Sequence, residues 1–293
     1  MKRFPILGAL LLIPAVILFA TVGCTPNKKD EPKPVADAAK AKDADKGKEG
    51  GEKKKKEEIT TAPDATVKGI VKFKGTPPAP KEDKRIAEHK EAKECLTGAR
   101  EIDKQEQTWI IGKDDGVANV IISLAPPADK KFKKLDDKAL EAFKKPVVLD
   151  QPFCNYVPHV VALYADIQPL VAKNDAKVSH NVKILAGPQI GGTKDITLSP
   201  GKDTGDLMFN GGPEAVIDTT CSIHSWMSAK IALFNHPYFA VTDKDGHFEI
   251  KNVPVDTALT VYMWHESNPS KVEVQKLTAK KGDNDVPLTI SPK

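Results

Sequence analysis

From Ala65 onward, short runs of Val, Ile and Leu alternate with clusters of Gly, Pro, Asn and Asp. Apolar runs of this length between turn-forming residues are typical of β-strands, and most are too short for a core helix. One amphipathic, lysine-rich stretch at 135–144 predicts a short helix on a loop. The sequence therefore predicts an all-β fold of packed sheets. The expected strands lie at 66–73, 118–124, 146–149, 159–164, 181–185, 215–217 and 230–234.

The first residues of the chain have a different character. A basic tripeptide precedes the apolar segment 4–22, and Cys24 follows Gly23 directly. This order is that of a secretory signal, over residues 1–24. Its end resembles a bacterial lipobox, which implies that Cys24 is lipidated and anchors the chain to a membrane. An uncleaved membrane anchor is the alternative, and both interpretations place the folded part outside the cytoplasm, in the periplasm or cell envelope.

Residues 25–64 are rich in Lys, Glu, Asp, Ala, Gly and Pro and contain no aromatic residue. Such a segment cannot bury enough apolar area to offset the entropy lost on ordering. We therefore expect a disordered tether, with a partner-binding arm at 53–56 as the alternative. The net charge of the whole chain is only +4, and its lysines are interspersed with acids. We therefore expect no nucleic-acid partner.

Three metal-binding side chains lie in one loop after a predicted strand. Two residues separate Cys221 from His224, and two more separate His224 from Met227, so a tight turn can bring all three around one ion. His180 lies about forty residues earlier, just before another predicted strand. Two imidazoles, one thiolate and a long axial thioether are the donors of blue-copper electron-transfer sites. The four residues therefore predict a site for one type 1 copper ion.

This loop and the earlier pair His180-Asn181 resemble the copper-binding segments of the cupredoxin family, in the short-loop form of amicyanin and related plastocyanins. The resemblance covers roughly residues 105–236, about half of the chain. It implies a Greek-key β-sandwich, which we expect within a copper domain at 65–236. A resemblance that joins the loop to a His-Asn pair is much more specific than a cysteine and a histidine alone.

The resemblance also implies roles for single residues. Asn181 is expected to hydrogen-bond across to the cysteine loop and stiffen the site. Trp226 is expected to shield the metal or form its exposed rim. His224 is expected to be the ligand that reaches the surface and lets the electron leave.

Electron transfer between redox protein partners is the function that the resemblance implies. Copper trafficking or storage uses the same ligands, and a structural envelope lipoprotein that has lost its metal is a third possibility. We expect no catalytic residues and no enzyme activity. A copper nitrite reductase needs a second, histidine-rich copper site, which the sequence does not reveal.

Two other interpretations of the metal-binding residues stay open. Cys154 and His159 could join Cys221 and His224 in a zinc site with two cysteines and two histidines. The spacing of the first pair is poor for zinc, and Met227 would have no role. Alternatively, the same residues are a buried thiol, a polar loop residue and ordinary core.

The cysteine count supports one disulfide. If Cys24 is lipidated and Cys221 binds copper, Cys95 and Cys154 are left over. Outside the cytoplasm two such cysteines usually pair, and this pair would fasten the Lys/Glu-rich loop 79–108 to the sandwich. Two separate thiols are the alternative.

The other histidines are expected to lie outside the metal site. His159 is predicted to be structural, with a position close to the metal as the alternative. His236 and His265 are expected to be packing or surface residues, and His89 and His247 to be solvated.

The C-terminal residues 237–293 predict a second, smaller β-module. An Asp-Gly turn joins two short strands, and the pattern at 242–254 resembles the carboxypeptidase regulatory-like family, a small sandwich also similar to transthyretin. The family's modules are commonly structural and bring no catalytic residues. Strand 66–73 suits either sandwich; if it belongs to the second, the copper domain is inserted between strands of that module.

Overall fold

The computed structural model describes residues 55–292. The expected signal, the lipidation site Cys24 and most of the tether lie outside these residues. None of the helices in the described range is long and apolar enough to cross a membrane.

The described residues are mostly β-structure, as the sequence predicts. Helices are few and short, and the expected helix at 135–144 is one α-turn followed by a 3₁₀ turn at Glu141–Phe143. The α-helices are α1 (Lys84–Ala87), α2 (Ala92–Leu96) and α3 (Asp137–Leu140). The strands are β1 (Glu57–Glu58), β2 (Ala65–Phe73), β3 (Ile121–Ala125), β4 (Lys130–Lys131), β5 (Val147–Asp150), β6 (Val160–Tyr164), β7 (Leu170–Asn174), β8 (His180–Ile184), β9 (Lys194–Leu198), β10 (Lys202–Asp203), β11 (Ala215–Thr220), β12 (Ser228–Phe234), β13 (Phe239–Val241), β14 (His247–Val253), β15 (Ala258–His265), β16 (Asn268–Thr278), β17 (Gly282–Asp285) and β18 (Leu288–Ile290).

Strands β5 to β12 form a sandwich, here called the inserted sandwich. Its larger sheet has the order β6-β12-β11-β8-β9, and its smaller sheet has the order β10-β7-β5. Buried and half-buried residues alternate along β7, because successive side chains of a strand point to opposite faces. One buried apolar cluster joins the sheets, with Leu149 and Ala172 from the smaller one and Leu163 and Ile231 from the larger one.

Strands β2, β3 and β13 to β18 form a second sandwich, here called the flanking sandwich. One sheet has the order β13-β3-β15-β16, and in the other β2 pairs with β14, β17 and β18. Val67 and Val71 of β2 are fully buried in the same cluster as Val261. Gly69 is required in β2, because a Cβ there would lie 2.1 Å from the carbonyl oxygen of Val286.

This pairing differs from the domain boundaries expected from the sequence. The sequence predicts one copper domain at 65–236 and a module at 237–293, whereas β2 and β3 pair with strands of the C-terminal part. Strand 66–73 could belong to either sandwich, and the structure places it in the second one, because its valines complete the flanking core. The inserted sandwich therefore lies between two portions of the flanking sandwich.

The last residues of the expected tether are packed against the flanking sandwich. Strand β1 pairs in parallel with β4, and Ile59 is buried in the flanking core. The carboxylate of Glu58 lies 2.9 Å from the ammonium of Lys131. The expectation of disorder up to residue 64 was therefore wrong for 55–64, because one apolar side chain and two backbone pairings are enough to fix this end.

The segment 79–108, called the cap below, crosses one end of the inserted sandwich. Helix α1 begins after Asp83, whose carboxylate accepts a hydrogen bond from the backbone N–H of Arg85 at 3.1 Å. Helix α2 carries Cys95, which forms a disulfide with Cys154 of the inserted sandwich. The predicted disulfide is thus present, and it fastens the cap beside the cysteine loop.

A third apolar cluster joins the two sandwiches. Its members come from the outer faces of β6 and β12 on one side and of β3 and β15 on the other: Ile121, Val160, Ala232, Phe234 and Trp264. Burying a large apolar side chain contributes roughly 1.5–3 kcal/mol. The two sandwiches therefore share a hydrophobic contact and are not joined by flexible linkers alone.

Candidate metal centre

Two neighbouring strands of the larger sheet position the predicted ligands. His180 is the first residue of β8, and β8 pairs with β11. β11 and β12 form a hairpin in which Thr220 lies opposite Ser228, so residues 221–227 must close it. Inside this loop the N–H of Cys221 donates to the carbonyl of Met227 at 3.2 Å, and the N–H of Met227 donates to the carbonyl of His224 at 3.0 Å. The register of the hairpin therefore folds the loop back on itself.

The loop and β8 bring three donor atoms together. The Nδ1 atoms of His180 and His224 lie 3.0 Å apart, and Sγ of Cys221 lies 3.9 Å from Nδ1 of His224. Donor atoms of all three residues lie within 4.8 Å of one another, and all three side chains are buried. Met227, the fourth predicted ligand, is buried in the same loop.

The donor set fits a copper ion. Two nitrogens that each bind a metal at about 2 Å lie roughly 3 Å apart when the angle between the bonds is near 100°, and the two imidazoles have this separation. One sulfur and two nitrogens are the equatorial donors of blue-copper sites. The Nε2 atom of His180 is buried and has no hydrogen-bond partner among the described residues, so this ring is oriented by packing and by its Nδ1 contact.

Burial keeps both imidazoles in the form that binds metals. Desolvation, together with the neighbouring His224, lowers the pKa of His180 to about 3. Desolvation also lowers the pKa of His224, although the Glu91 carboxylate opposes this effect. Both rings are therefore neutral near pH 7, with a lone pair available for a metal ion.

Backbone N–H groups surround the sulfur of Cys221. The N–H of Asn181 donates to Sγ at 3.3 Å, and the N–H of His224 donates to it at 3.5 Å. The side-chain oxygen of Asn181 also accepts from the N–H and the hydroxyl of Ser222, at 3.3 and 3.1 Å. Donors of this kind stabilise negative charge on the sulfur, and Asn181 ties β8 to the loop, which is the role expected of it.

Trp226 and Tyr156 complete the shell around the loop. Trp226 is only 7% exposed, its ring centre lies 5.0 Å from that of His224, and its Nε1–H donates to the carbonyl of Cys154 at 2.8 Å. It therefore shields the site and forms no exposed rim. Tyr156, which the sequence analysis missed, lies with its hydroxyl 2.8 Å from the carbonyl of Asn181 and 3.0 Å from that of Thr220. Burial raises its pKa.

The expectation that His224 reaches the surface was wrong. Its side chain is 0% exposed, because the cap covers it: Oε2 of Glu91 lies 3.0 Å from its Nε2. The ring of His89, which the sequence suggested to be solvated, lies with its centre 4.9 Å from that of His224. Neither Glu91 nor His89 was predicted to lie at the site, and their only signal in the sequence is a histidine and a glutamate two residues apart in a lysine-rich run.

The disulfide bears on the zinc alternative. Cys154 is bonded to Cys95, so its thiolate is not available for a zinc site with Cys221. Cys221 is the free cysteine of the described residues, and it is buried. The disulfide also lies beside the metal site, since both sulfurs fall within 4.8 Å of a ring nitrogen of His224.

The remaining histidines have partners outside the metal site. Nε2 of His159 lies 3.1 Å from a carboxylate oxygen of Glu266, and Nε2 of His236 lies 2.9 Å from a carboxylate oxygen of Glu214. His265 is buried, and its ring lies tilted against that of Trp109, with the ring centres 4.3 Å apart. His247 is exposed, as expected.

Comparisons with known proteins give structural relatives only. No family profile matches the chain, and a search of curated proteins gives no match. A purple cupredoxin from Nitrosopumilus maritimus is 18% identical and has a TM-score of 0.25, over 30% of this chain and 99% of its own. A reduced amicyanin variant is 17% identical with a TM-score of 0.27, over 38% of this chain and 99% of its own. A copper-containing nitrite reductase from Thermus scotoductus is 16% identical with a TM-score of 0.27, over 38% of this chain and 25% of its own. These are partial likenesses, each over 30–38% of this chain.

Proposed function

We propose that the chain is a type 1 copper protein that passes single electrons between redox protein partners. The observation that carries this proposal is the convergence of His180, Cys221 and His224, all buried, with two nitrogens 3.0 Å apart and a sulfur beside them. Copper held there supplies a one-electron couple between Cu(II) and Cu(I).

The residues around the donors fix their positions. The β11–β12 hairpin fixes the loop, and the N–H groups of Asn181 and His224 point at the sulfur. A rigid donor set moves little when the charge of the ion changes, which favours fast electron exchange. Trp226 and Met227 are buried in the same loop.

Copper loading tests this proposal. We expect the purified full chain to bind one Cu(II) and to develop intense visible absorption from the thiolate–copper bond, which Cys221→Ser removes. His247→Ala, at an exposed histidine, is the control and should leave the colour unchanged. A fully copper-loaded wild-type protein without this absorption would contradict the blue-copper proposal.

Copper trafficking or storage is the second candidate, and the burial of His224 favours it. An electron carrier whose ligand edge is covered by the cap exchanges electrons more slowly than one with an exposed edge. Measuring electron exchange between the reduced, copper-loaded protein and a small soluble cytochrome separates the two candidates. Rapid, saturable exchange supports the carrier, whereas slow exchange with release of Cu(I) to a chelator supports the store.

The location and the companion module are part of the same proposal. A buried disulfide is typical of proteins outside the cytoplasm, which agrees with an exported copper protein anchored through lipidated Cys24. Incorporation of labelled fatty acid into the wild-type chain, and its loss in Cys24→Ser, tests the anchor. We assign the flanking sandwich a structural role, as in the regulatory-like modules that its sequence resembles.

A further inference from the structure

The ring of His224 faces two groups of metal-binding atoms. Its Nδ1 lies 3.0 Å from Nδ1 of His180 and 3.9 Å from Sγ of Cys221, which form the inner group. Its Nε2 lies 3.0 Å from Oε2 of Glu91 on the cap. One imidazole therefore contacts the inner donors with one nitrogen and the cap with the other.

The cap supplies a second group of donors, called the outer group below. Nδ1 of His89 lies 4.0 Å from Oε2 of Glu91, and donor atoms of His89, Glu91 and His224 all lie within 4.8 Å of one another. The side chains of His89 and Glu91 are 23% and 31% exposed, whereas that of His224 is 0% exposed. An ion in solution can therefore reach the outer group more easily than the buried inner one.

A role in orienting His224 does not by itself account for this arrangement. A carboxylate on Nε2 is enough to fix an imidazole ring, and Glu91 supplies it. His89 adds a second imidazole, packed edge-on against both His224 and Trp226, with centres 4.9 and 5.2 Å away. The disulfide at Cys95 holds this part of the cap against the loop.

We propose that His89 and Glu91 form an outer Cu(II) site through which the ion reaches the buried ligands. This inference rests on the proposed copper function. Imidazole and carboxylate donors suit Cu(II), and the ion would pass inward by ligand exchange from Nε2 to Nδ1 of His224, while the ring proton of His224 moves from Nδ1 to Nε2. The ion keeps its charge in this step, and Cys221 releases its thiol proton to solvent as its sulfur binds.

Rapid mixing of the copper-free full chain with Cu(II) tests the inference. We expect His89→Ala and Glu91→Gln to slow the appearance of the visible absorption by about tenfold or more, and His89→Ala to reach the same final absorbance as wild type. His247→Ala and Glu88→Gln, at exposed positions, are the matched controls and should keep the wild-type rate. Wild-type uptake rates in both cap variants would overturn the proposal, as would faster uptake in Glu91→Gln.

A second experiment separates failure of this inference from failure of the proposed function. In Cys221→Ser the thiolate is absent, and we expect the chain to bind Cu(II) with the electron paramagnetic resonance of a nitrogen- and oxygen-bound ion. Adding His89→Ala should weaken this binding about tenfold or more. If wild type never becomes coloured, the blue-copper proposal fails while this measurement still reports on the outer site. Equal affinity with and without His89 overturns the outer site alone.

Discussion

The two sandwiches of this protein are built from similar sheets but have different interiors. The flanking core consists of aliphatic and aromatic side chains with one methionine and no cysteine. The inserted core contains the disulfide, the free thiol of Cys221 and Met227, with His180 and His224 buried beside it. Burying polar donors without full partners costs stability, and Nε2 of His180 in the inserted sandwich and Nε2 of His265 in the flanking one both lack a partner among the described residues. The buried thiol and imidazoles of the candidate metal site nevertheless all belong to the inserted sandwich.

Removing the disulfide should change the stability of the inserted sandwich more than any other change proposed here. Cys95 and Cys154 are 59 residues apart, and closing a loop of that length stabilises a protein by about 4 kcal/mol. We expect the double variant Cys95→Ala, Cys154→Ala to lose about this much free energy of unfolding, measured in urea. A loss under about 1 kcal/mol would show that the inserted sandwich does not depend on the cap.

Matched core truncations sharpen the comparison. Leu163 of the inserted sandwich and Leu259 of the flanking sandwich are both fully buried, and replacing either by Ala should cost about 3 kcal/mol. Because a shared apolar cluster joins the sandwiches, we expect them to unfold together. Copper at a hundred times its dissociation constant should then stabilise both variants by about 2.7 kcal/mol. If Leu259→Ala instead unfolds in two transitions and copper stabilises only one of them, the two sandwiches are independent folding units.

Acid should destabilise both sandwiches of the copper-free protein. Burial lowers the pKa of His265 in the flanking sandwich to about 4, below its ordinary value. Below about pH 6.5 the unfolded chain therefore binds a proton at His265, whereas the folded chain does not. The free energy of unfolding then falls as the pH falls, by about 1.4 kcal/mol per pH unit. Between pH 6.5 and 5, His265→Gln should remove about 2 kcal/mol of this dependence in urea titrations. His247→Gln should not change it.

Two tryptophans give the smallest and most specific test. Trp226 and Trp264 are 7% and 8% exposed, and each indole N–H donates to a backbone carbonyl, that of Cys154 or of Pro269. Replacing either by Phe removes one hydrogen bond, at a cost of about 1 kcal/mol. Only Trp226→Phe should alter the visible spectrum of the copper-loaded protein. An equal spectral change in Trp264→Phe would contradict the division of roles.

Local patterns predicted the parts of this protein that depend on local sequence. The apolar runs at 159–164 and 230–234 form strands close to where they were expected. The spacing of Cys221, His224 and Met227 also predicted a folded loop, because the constraint lies within seven residues. Strand β9 was not predicted. It lies at a sheet edge, and polar residues occupy much of 194–198, so the segment carries little apolar signal.

Long-range packing is what the sequence did not disclose. The sequence of the cap is typical of a solvated, charged loop, because most of its residues are exposed. In α1 and α2 only Ile86 and Cys95 are buried. Nothing in that pattern indicates that Glu91 contacts His224, which lies 133 residues later in the chain. The partner of β2 was equally open, because a valine-rich strand suits any apolar core.

The pairing of β2 also bears on the order in which the chain folds. Its partners β14, β17 and β18 follow the inserted sandwich in the chain, whereas within the described residues β5 to β12 pair among themselves. Contacts that are close in sequence form sooner than distant ones, and chains fold progressively from the N-terminus as they emerge. The candidate metal donors can therefore come together during folding before β2 has paired with its neighbours.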